Sequence, residues 1–171
     1  MPLVRDAARL VHETGIGDLE QMSISMSSQT RELLLNKGSY PDASPESIPE
    51  QSTWTDPRLS GGGYGQAQLS HALALAFSLV DEPVREVFAW MSAPESGGVE
   101  LHDAIALRFA NGAVGTLSGG SAHLGANGNK HHLAVRGIGS KGQFLVDVDR
   151  EAVVLFTDGR ETVVELPMQS G

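Results

Sequence analysis

The sequence contains no cysteine, few aromatic residues and no hydrophobic run long enough to cross a bilayer. Without cysteine there is neither a disulfide framework nor thiolate chemistry, which suits a cytoplasmic protein. The longest apolar run, residues 72–80, is interrupted by Ser78 and falls well short of the roughly 20 residues that a membrane helix needs. The N-terminus lacks a basic segment followed by an apolar run, so no signal peptide is predicted. We therefore predict a cytoplasmic location and no membrane partner.

Basic residues are also scarce, since 12 Lys and Arg stand against 21 Asp and Glu and give a formal net charge of −9. This negative charge argues against nucleic acid and anionic membranes as partners. The length of 171 residues, with 40% apolar and 19% charged residues, is typical of one globular domain with its own core. We predict a single domain over residues 1–171.

Glycine is concentrated at one place, Gly61-Gly62-Gly63, directly before a long apolar run. Glycines allow a ligand to approach the backbone closely. A helix that begins here points its free N–H groups and the positive end of its dipole toward the glycines. Gln68 and His71 are three residues apart and share one face of that helix. We interpret this stretch as the candidate ligand site.

The same glycines imitate a dinucleotide-binding fingerprint, because Asp81 follows Gly61-x-Gly63 by about twenty residues, as that motif requires. However, the fingerprint needs an apolar strand before the glycines. Residues 53–60 are polar and include Pro57. A self-contained dinucleotide site is therefore not predicted.

Periodicity predicts the elements of the first half of the chain. Apolar residues recur at helical spacing over residues 3–13, and the glycines from Gly15 end that helix. Strict alternation of apolar residues with serine over residues 22–27 predicts a strand with one buried face. From residue 30 to 60 the pattern disappears, apart from a short helical turn at residues 31–35, which indicates a functional loop or a disordered excursion. A buried helix is expected from Gly63 to Val80.

The second half of the chain is typical of strands joined by short turns such as Asn111-Gly112. The predicted strands are residues 84–93, 103–109, 113–118, 131–138, 143–148, 152–156 and 162–166. Short connections require antiparallel pairing. The predicted fold class is α+β: an open antiparallel β-sheet with helices packed on one face. The second face, with Ser23, Ser25, Thr116, Ser118 and Arg136, is then available for homodimerisation.

In this order, the motifs resemble the C-terminal domain of the Gfo/Idh/MocA oxidoreductases, a dihydrodipicolinate-reductase-like fold. The glycine triplet before a helix with His71, preceded by Trp54-x-Asp56-Pro57, is similar to the catalytic helix of that family. Residues 15–20, 103–117 and 137–142 are similar to its sheet. The resemblance covers roughly residues 3–166.

The resemblance implies a two-domain enzyme in which an N-terminal Rossmann domain binds NAD or NADP. The C-terminal domain covers the nicotinamide, holds a sugar, cyclitol or related polyol, and usually forms the oligomer. This chain resembles only that second domain, and the family's Glu-Lys-Pro motif is absent. Met1 is therefore expected to be a start within a longer chain, or else the start of an unusual stand-alone domain. No cofactor and no activity are expected for this chain alone.

The family's helix commonly begins Asp-x-Gly-x-His, and this chain departs from that pattern at Ala67 and Leu69 while keeping His71. The resemblance therefore assigns catalysis to His71, as general base for a substrate hydroxyl. Gln68 can hydrogen-bond that hydroxyl but cannot act as an acid or base. Gly61, Gly62 and Gly63 are expected to lie next to the cofactor.

Four further side chains are predicted to contact substrate: Trp54, Arg58, Tyr64 and His123. Trp54, beside Arg58, either stacks on a sugar face or a nicotinamide, or anchors the loop at the core edge. Tyr64 belongs to the glycine stretch. His123 lies either near the substrate mouth or in a solvated turn. The histidine spacing matches no metal motif, so no metal is predicted.

A second hypothesis is a stand-alone, non-enzymatic dimeric domain that binds a sugar-like ligand or another protein chain. The absence of a carboxylate at Ala67 and of a cofactor domain favours it. An in-frame glycine-fingerprint βαβ unit upstream of Met1 would count against it.

Overall fold

A computed structural model describes residues 2–38, 44–48, 50–93, 98–123 and 131–165 of the chain. The helical elements are α1 (Pro2–Thr14), α2 (Arg31–Leu34), a 3-10 turn (Pro45–Ser47), α3 (Ser52–Thr55), α4 (Pro57–Ser60), a π-helical turn (Gly65–Leu69) and α5 (Ser70–Leu79). The strands are β1 (Leu19–Ser28), β2 (Val84–Ser92), β3 (His102–Phe109), β4 (Val114–Ser121), β5 (His132–Gly139), β6 (Gly142–Asp147), β7 (Ala152–Thr157) and β8 (Arg160–Glu165). The π-helical turn runs directly into α5, and we call the two together the glycine helix. No helix of the described residues has the length and apolar character needed to span a bilayer.

The strands form one sheet in the order β2-β3-β4-β1-β5-β6-β7-β8. This confirms the predicted α+β fold with an open, mostly antiparallel sheet. One pair differs from the prediction, because β1 runs parallel to β4. The rule of short connections could not reveal this pair, since the whole helical region separates the two strands in sequence and allows a crossover.

Strand β1 lies at the centre of the sheet because its two faces differ in polarity. Met22, Ile24 and Met26 are all at most 9% exposed and face the helices. Each such burial stabilises the fold by roughly 1.5–3 kcal/mol. The serines between them face the open side, where Ser23 lies between Thr116 of β4 and Arg136 of β5. The alternation in the sequence thus predicted both the strand and its orientation.

The core fills the space between the sheet and the helices. Ala7 and Val11 of α1 and Ala72 and Leu75 of α5 are buried there with the inward-facing strand residues. Helix α1 ends where predicted, because Gly15 adopts a left-handed φ of 70° and donates its N–H to the carbonyl of Val11 at 3.0 Å.

The segment from residue 30 to 60 is not structureless where the structure describes it. It contains the short helical turns α2, α3 and α4, and Leu33 and Leu34 of α2 are buried in it. Turns of three or four residues are too short to produce a visible apolar period. Residues 39–43 and 49 lie outside the described part.

Candidate functional site

The start of the glycine helix is held by Glu100, which lies 37 residues further along the chain. The N–H of Gly63 donates to both carboxylate oxygens of Glu100 at 2.8 Å, and the N–H of Gly65 donates to Oε1 at 3.2 Å. The N–H of Tyr64 donates to the Glu100 backbone carbonyl at 3.0 Å. A carboxylate is stabilised at the positive end of a helix dipole. Glu100 therefore occupies the position that a bound anion would take.

The two N–H groups before this point are also engaged within the chain. Gly61 donates to the carbonyl of Pro57 at 3.0 Å, and Gly62 donates to the Ser60 hydroxyl at 3.3 Å. A phosphate-binding glycine loop needs free N–H groups. The turn formed by Gly61, Gly62 and Gly63, here called the glycine turn, therefore does not fit the phosphates of a dinucleotide.

Two of the three glycines have a reason within the fold. A Cβ on Gly63 would lie 2.1 Å from the Glu100 carbonyl oxygen, so the position has no room for a side chain. Gly61 ends α4 in the left-handed conformation, with φ of 79°. These reasons need no ligand, and the proximity of the glycines to a cofactor stays a prediction.

A second carboxylate lies buried beneath the same turn. Asp103 of β3 is 4% exposed, and neither of its carboxylate oxygens has a hydrogen-bond partner. A Cβ on Gly65 would lie 3.2 Å from Oδ2 of Asp103 and 3.4 Å from Oε1 of Glu100. Burial, and to a smaller extent the negative charge of Glu100, raise the pKa of Asp103 to about 6. Burial of a carboxyl group without a hydrogen-bond partner costs free energy of folding. Asp103 therefore destabilises the fold close to the helix start.

Sequence reasoning missed both carboxylates, although Asp103 left a signal. Asp103 is in phase with Ile105, Leu107 and Phe109, which are two, four and six residues on and face the helices. A carboxylate at a position of the buried face is unusual and points to a special role. Glu100 precedes the strand, and no periodicity marks it.

Tyr64 belongs to the core. It is fully buried, and its hydroxyl donates to the Met26 carbonyl at 3.3 Å and accepts from Ser28 at 3.3 Å. Burial is the main cause that raises the pKa of Tyr64. Nearby, the buried hydroxyls of Thr30 and Ser121 are 2.9 Å apart. Tyr64 therefore packs beneath the helix start and presents no surface to a substrate. It is not part of the proposed site.

His71 and Gln68 lie on the glycine helix, close to its start. His71 is exposed to solvent, whereas Gln68 is half-buried. The helix begins with a π-helical turn, an irregularity that is frequent at functional sites. Asp103 is buried and lies close to Gly65, whereas His71 is exposed.

The other predicted contacts have partners within the chain. Arg58 is exposed, and its guanidinium donates two hydrogen bonds to Asp56, at 3.1 and 2.8 Å. These bonds lower the pKa of Asp56. Trp54 is half-buried and packs against the core. The imidazole Nδ1 of His123 lies 2.9 Å from a carboxylate oxygen of Glu32 on α2.

A groove lies away from these residues. It has a volume of about 590 Å³ and lies between the end of α1, the start of β1 and the end of α5, with His12, Asp18, Asp81 and Glu82 in its lining. The glycine turn does not contribute to it. Across the described ranges, no three His, Asp or Glu side chains gather as metal ligands would.

The family model described as "GFO/IDH/MocA C-terminal domain" matches residues 4–145, and this chain therefore belongs to the GFO/IDH/MocA family. No curated protein matches the sequence.

Three solved structures illustrate the likeness of fold. An oxidoreductase domain protein from Kribbella flavida has a TM-score of 0.72 at 16% identity, over 96% of this chain and 44% of its own. An inositol dehydrogenase homolog from Azotobacter vinelandii, complexed with NADH and myo-inositol, has a TM-score of 0.66 at 16% identity, over 98% and 40%. Levoglucosan dehydrogenase, in complex with NADH and levoglucosan, has a TM-score of 0.67 at 19% identity, over 93% and 42%. The chain thus spans less than half the length of these proteins.

Proposed function

We propose that this chain is the substrate-binding and oligomerisation domain of an oxidoreductase that transfers hydride between NAD or NADP and a sugar, cyclitol or related polyol. The observation that most supports it is the exposed His71 near the start of the glycine helix, at the position to which the resemblance assigns catalysis. The myo-inositol and levoglucosan complexes of the structural neighbours suggest the substrate class.

In this proposal the imidazole of His71 accepts a proton from a substrate hydroxyl as the neighbouring carbon loses hydride. Gln68 hydrogen-bonds a second hydroxyl and fixes the orientation of the ring. Arg58, Trp54 and His123 contact the polyol from the loop and from the end of β4. Position 67 is an alanine, so proton transfer depends on His71 and on a group outside this chain.

The dinucleotide must be held elsewhere, because Glu100 and other internal acceptors engage the N–H groups of the glycine turn. We expect the 171-residue chain alone to bind neither NADH nor NADPH and to be inactive. Calorimetric titration of both cofactors into the chain checks this. Micromolar binding of either would contradict our account of the glycine turn.

The substrate site is tested by adding myo-inositol or levoglucosan to the isotope-labelled chain and following its amide resonances. We expect millimolar binding with shifts at Gln68 and His71. His71→Ala should weaken it about 3- to 10-fold, the value of one lost hydrogen bond. His12→Ala, in the groove at the other end, is the control and should change nothing. Shifts confined to that groove would place the ligand site there instead.

The alternative is a non-enzymatic dimeric domain that binds a sugar-like ligand or another chain, and the alanine at position 67 favours it. The two functions differ in the coding sequence upstream of Met1. A βαβ unit with a glycine fingerprint, in frame with this chain, would support the enzyme and exclude the alternative.

We further propose that the open face of the sheet forms a homo-oligomer. It exposes Val114, Leu145, Phe156 and Val163, between 36% and 56% each, and the centre of the face carries small polar residues. Solvent-exposed apolar patches of this kind mark interfaces. Leu145→Glu is expected to weaken self-association at least 10-fold in sedimentation, because it buries an unpaired charge. Leu59→Glu, an equally drastic change on the helix side, is the control and should leave it unchanged.

A further inference from the structure

The two outer strands of the described sheet differ in how their edges are protected. Strand β8 exposes the charged residues Arg160 and Glu161. The middle of β2, residues 87–91, contains neither a charge nor a proline. Its side chains are exposed on both faces of the sheet, from 56% at Met91 to 73% at Trp90. Proteins normally protect such an edge, so an unprotected one indicates a partner strand.

Side chains alternate along this edge. Val87 and Met91 are paired with Leu107 and Asp103 of β3, so they lie on the helix side. Phe88 and Trp90 lie on the open side, where their rings make an edge-to-face contact with centroids 5.7 Å apart. Both sides of the edge are therefore apolar.

The hydrogen-bond pattern fixes which backbone groups of β2 are free to pair. The N–H of Phe109 donates to the Ala113 carbonyl at 2.9 Å, within the β3–β4 register. In an antiparallel pair the hydrogen-bonded positions alternate. The backbone N–H and C=O groups of odd-numbered residues of β3 thus bond β4, and those of even-numbered residues bond β2.

The pairing of β2 with β3 then shows which residues of β2 bond β3. Phe88 and Trp90 are paired with Ala106 and Ala104, so the even-numbered residues of β2 bond β3. Val87, Ala89 and Met91 therefore direct their N–H and C=O groups away from the sheet.

We propose that β2 pairs antiparallel with β2 of a second copy of this chain, about a twofold axis at Ala89. This register joins the outward groups of Ala89 in the two copies, and those of Val87 with Met91 of the partner subunit. Phe88 then faces Trp90 of the partner subunit at a non-hydrogen-bonded position, where Cα atoms are closest, about 4.5 Å apart. Aromatic cross-strand pairs of this kind stabilise sheets.

The charges of the strand are compatible with this register. Arg85 falls opposite Ala93 of the partner subunit, and Glu86 falls opposite Ser92 of the partner subunit. No like charges meet across the axis, although each copy carries a net charge of −9. Salt screens the general repulsion between the copies. We therefore expect association to strengthen as the salt concentration rises.

Single cysteines test the register cleanly, because the chain has no cysteine of its own. In the proposed pair the two Ala89 Cα atoms are about 5.5 Å apart, within the range of a disulfide. Ala89→Cys should form a covalent dimer under mild oxidation. Val87→Cys and Met91→Cys, on the same strand and face, should each form no covalent dimer alone and should cross-link only when the two variants are mixed. Equal cross-linking of Val87→Cys alone, or none by Ala89→Cys, would overturn the proposal.

A second variant tests the backbone bonds. Ala89→Pro removes only an outward N–H, which the β2–β3 pair does not use, and proline is tolerated at such edges. Sedimentation should show a dissociation constant raised about 30- to 100-fold, for two hydrogen bonds lost per dimer. Leu145→Glu, which addresses the open face, should leave the Ala89→Cys cross-link intact. If Leu145→Glu abolishes the cross-link, the two β2 strands meet only because the open faces associate, and the proposal fails.

Discussion

Gly63→Ala is expected to destabilise the chain by about 3 kcal/mol or more, because its methyl group overlaps backbone that cannot move freely. The added Cβ would lie 2.1 Å from the carbonyl oxygen and 2.8 Å from the nitrogen of Glu100. To relieve this overlap, the residues before β3 must shift away from the helix start. That shift breaks the hydrogen bonds of Glu100 to Gly63, Tyr64 and Gly65 together. Chemical denaturation monitored by circular dichroism measures the loss.

The matched control lies two residues further on. A Cβ on Gly65 meets its nearest neighbour, Oδ2 of Asp103, at 3.2 Å. Alanine also favours a helix over glycine by about 1 kcal/mol. Gly65→Ala should therefore change the free energy of unfolding by no more than about 1 kcal/mol. Equal losses in the two variants would contradict the view that Glu100, rather than glycine flexibility, determines this turn.

The second large effect concerns pH, and it arises from Asp103. Its pKa is about 6 in the folded chain, against 3.8 for an aspartyl group in the unfolded chain. At about pH 3 and below, both the folded and the unfolded chain hold the proton, and the stabilisation from this group is fully present. Between about pH 4 and pH 6 the unfolded chain ionises this carboxyl while the folded chain keeps it protonated, so the stabilisation is lost by the time the pH has passed about 6. The free energy of unfolding should fall by about 3 kcal/mol from this group alone.

Asp103→Asn isolates this contribution, because the amide cannot ionise. The groups that face Asp103 are Glu100 and the hydroxyl-bearing Tyr64. We expect the variant, measured against the native chain by urea denaturation, to gain about 3 kcal/mol in relative stability between pH 3 and pH 8. Asp158→Asn, in the exposed turn between β7 and β8, should show no such gain. A flat difference for Asp103→Asn would show that the carboxyl is solvated or paired in solution.

The sequence predicted those features that depend on neighbours along the chain. Alternation in β1 predicted the strand and its buried face, and Asn111-Gly112 predicted the β3–β4 hairpin. The parallel pairing of β1 with β4 could not be predicted in this way, because it joins segments about 90 residues apart.

The candidate site was predicted in part, for the same reason. The glycine triplet and His71 mark the helix start, and the comparisons confirm the family that the motifs resemble. The chemistry that holds the turn was missed, since Glu100 reaches it from a distant segment. Asp103 could have been found, because a carboxylate interrupts an apolar alternation there. Tyr64 was predicted to contact substrate, but its ring is fully buried in the core.

The central position of β1 has a consequence for the order in which the chain folds. Leu19–Ser28 is synthesised before the other strands of the described sheet, yet its two neighbours in that sheet are Val114–Ser121 and His132–Gly139. Until those residues emerge, its Met22, Ile24 and Met26 side chains and its backbone groups have no native partner. Such long-range pairing slows folding and prolongs the exposure of apolar surface. Strand β1 therefore depends on protection from the time it emerges until residue 139 has emerged as well.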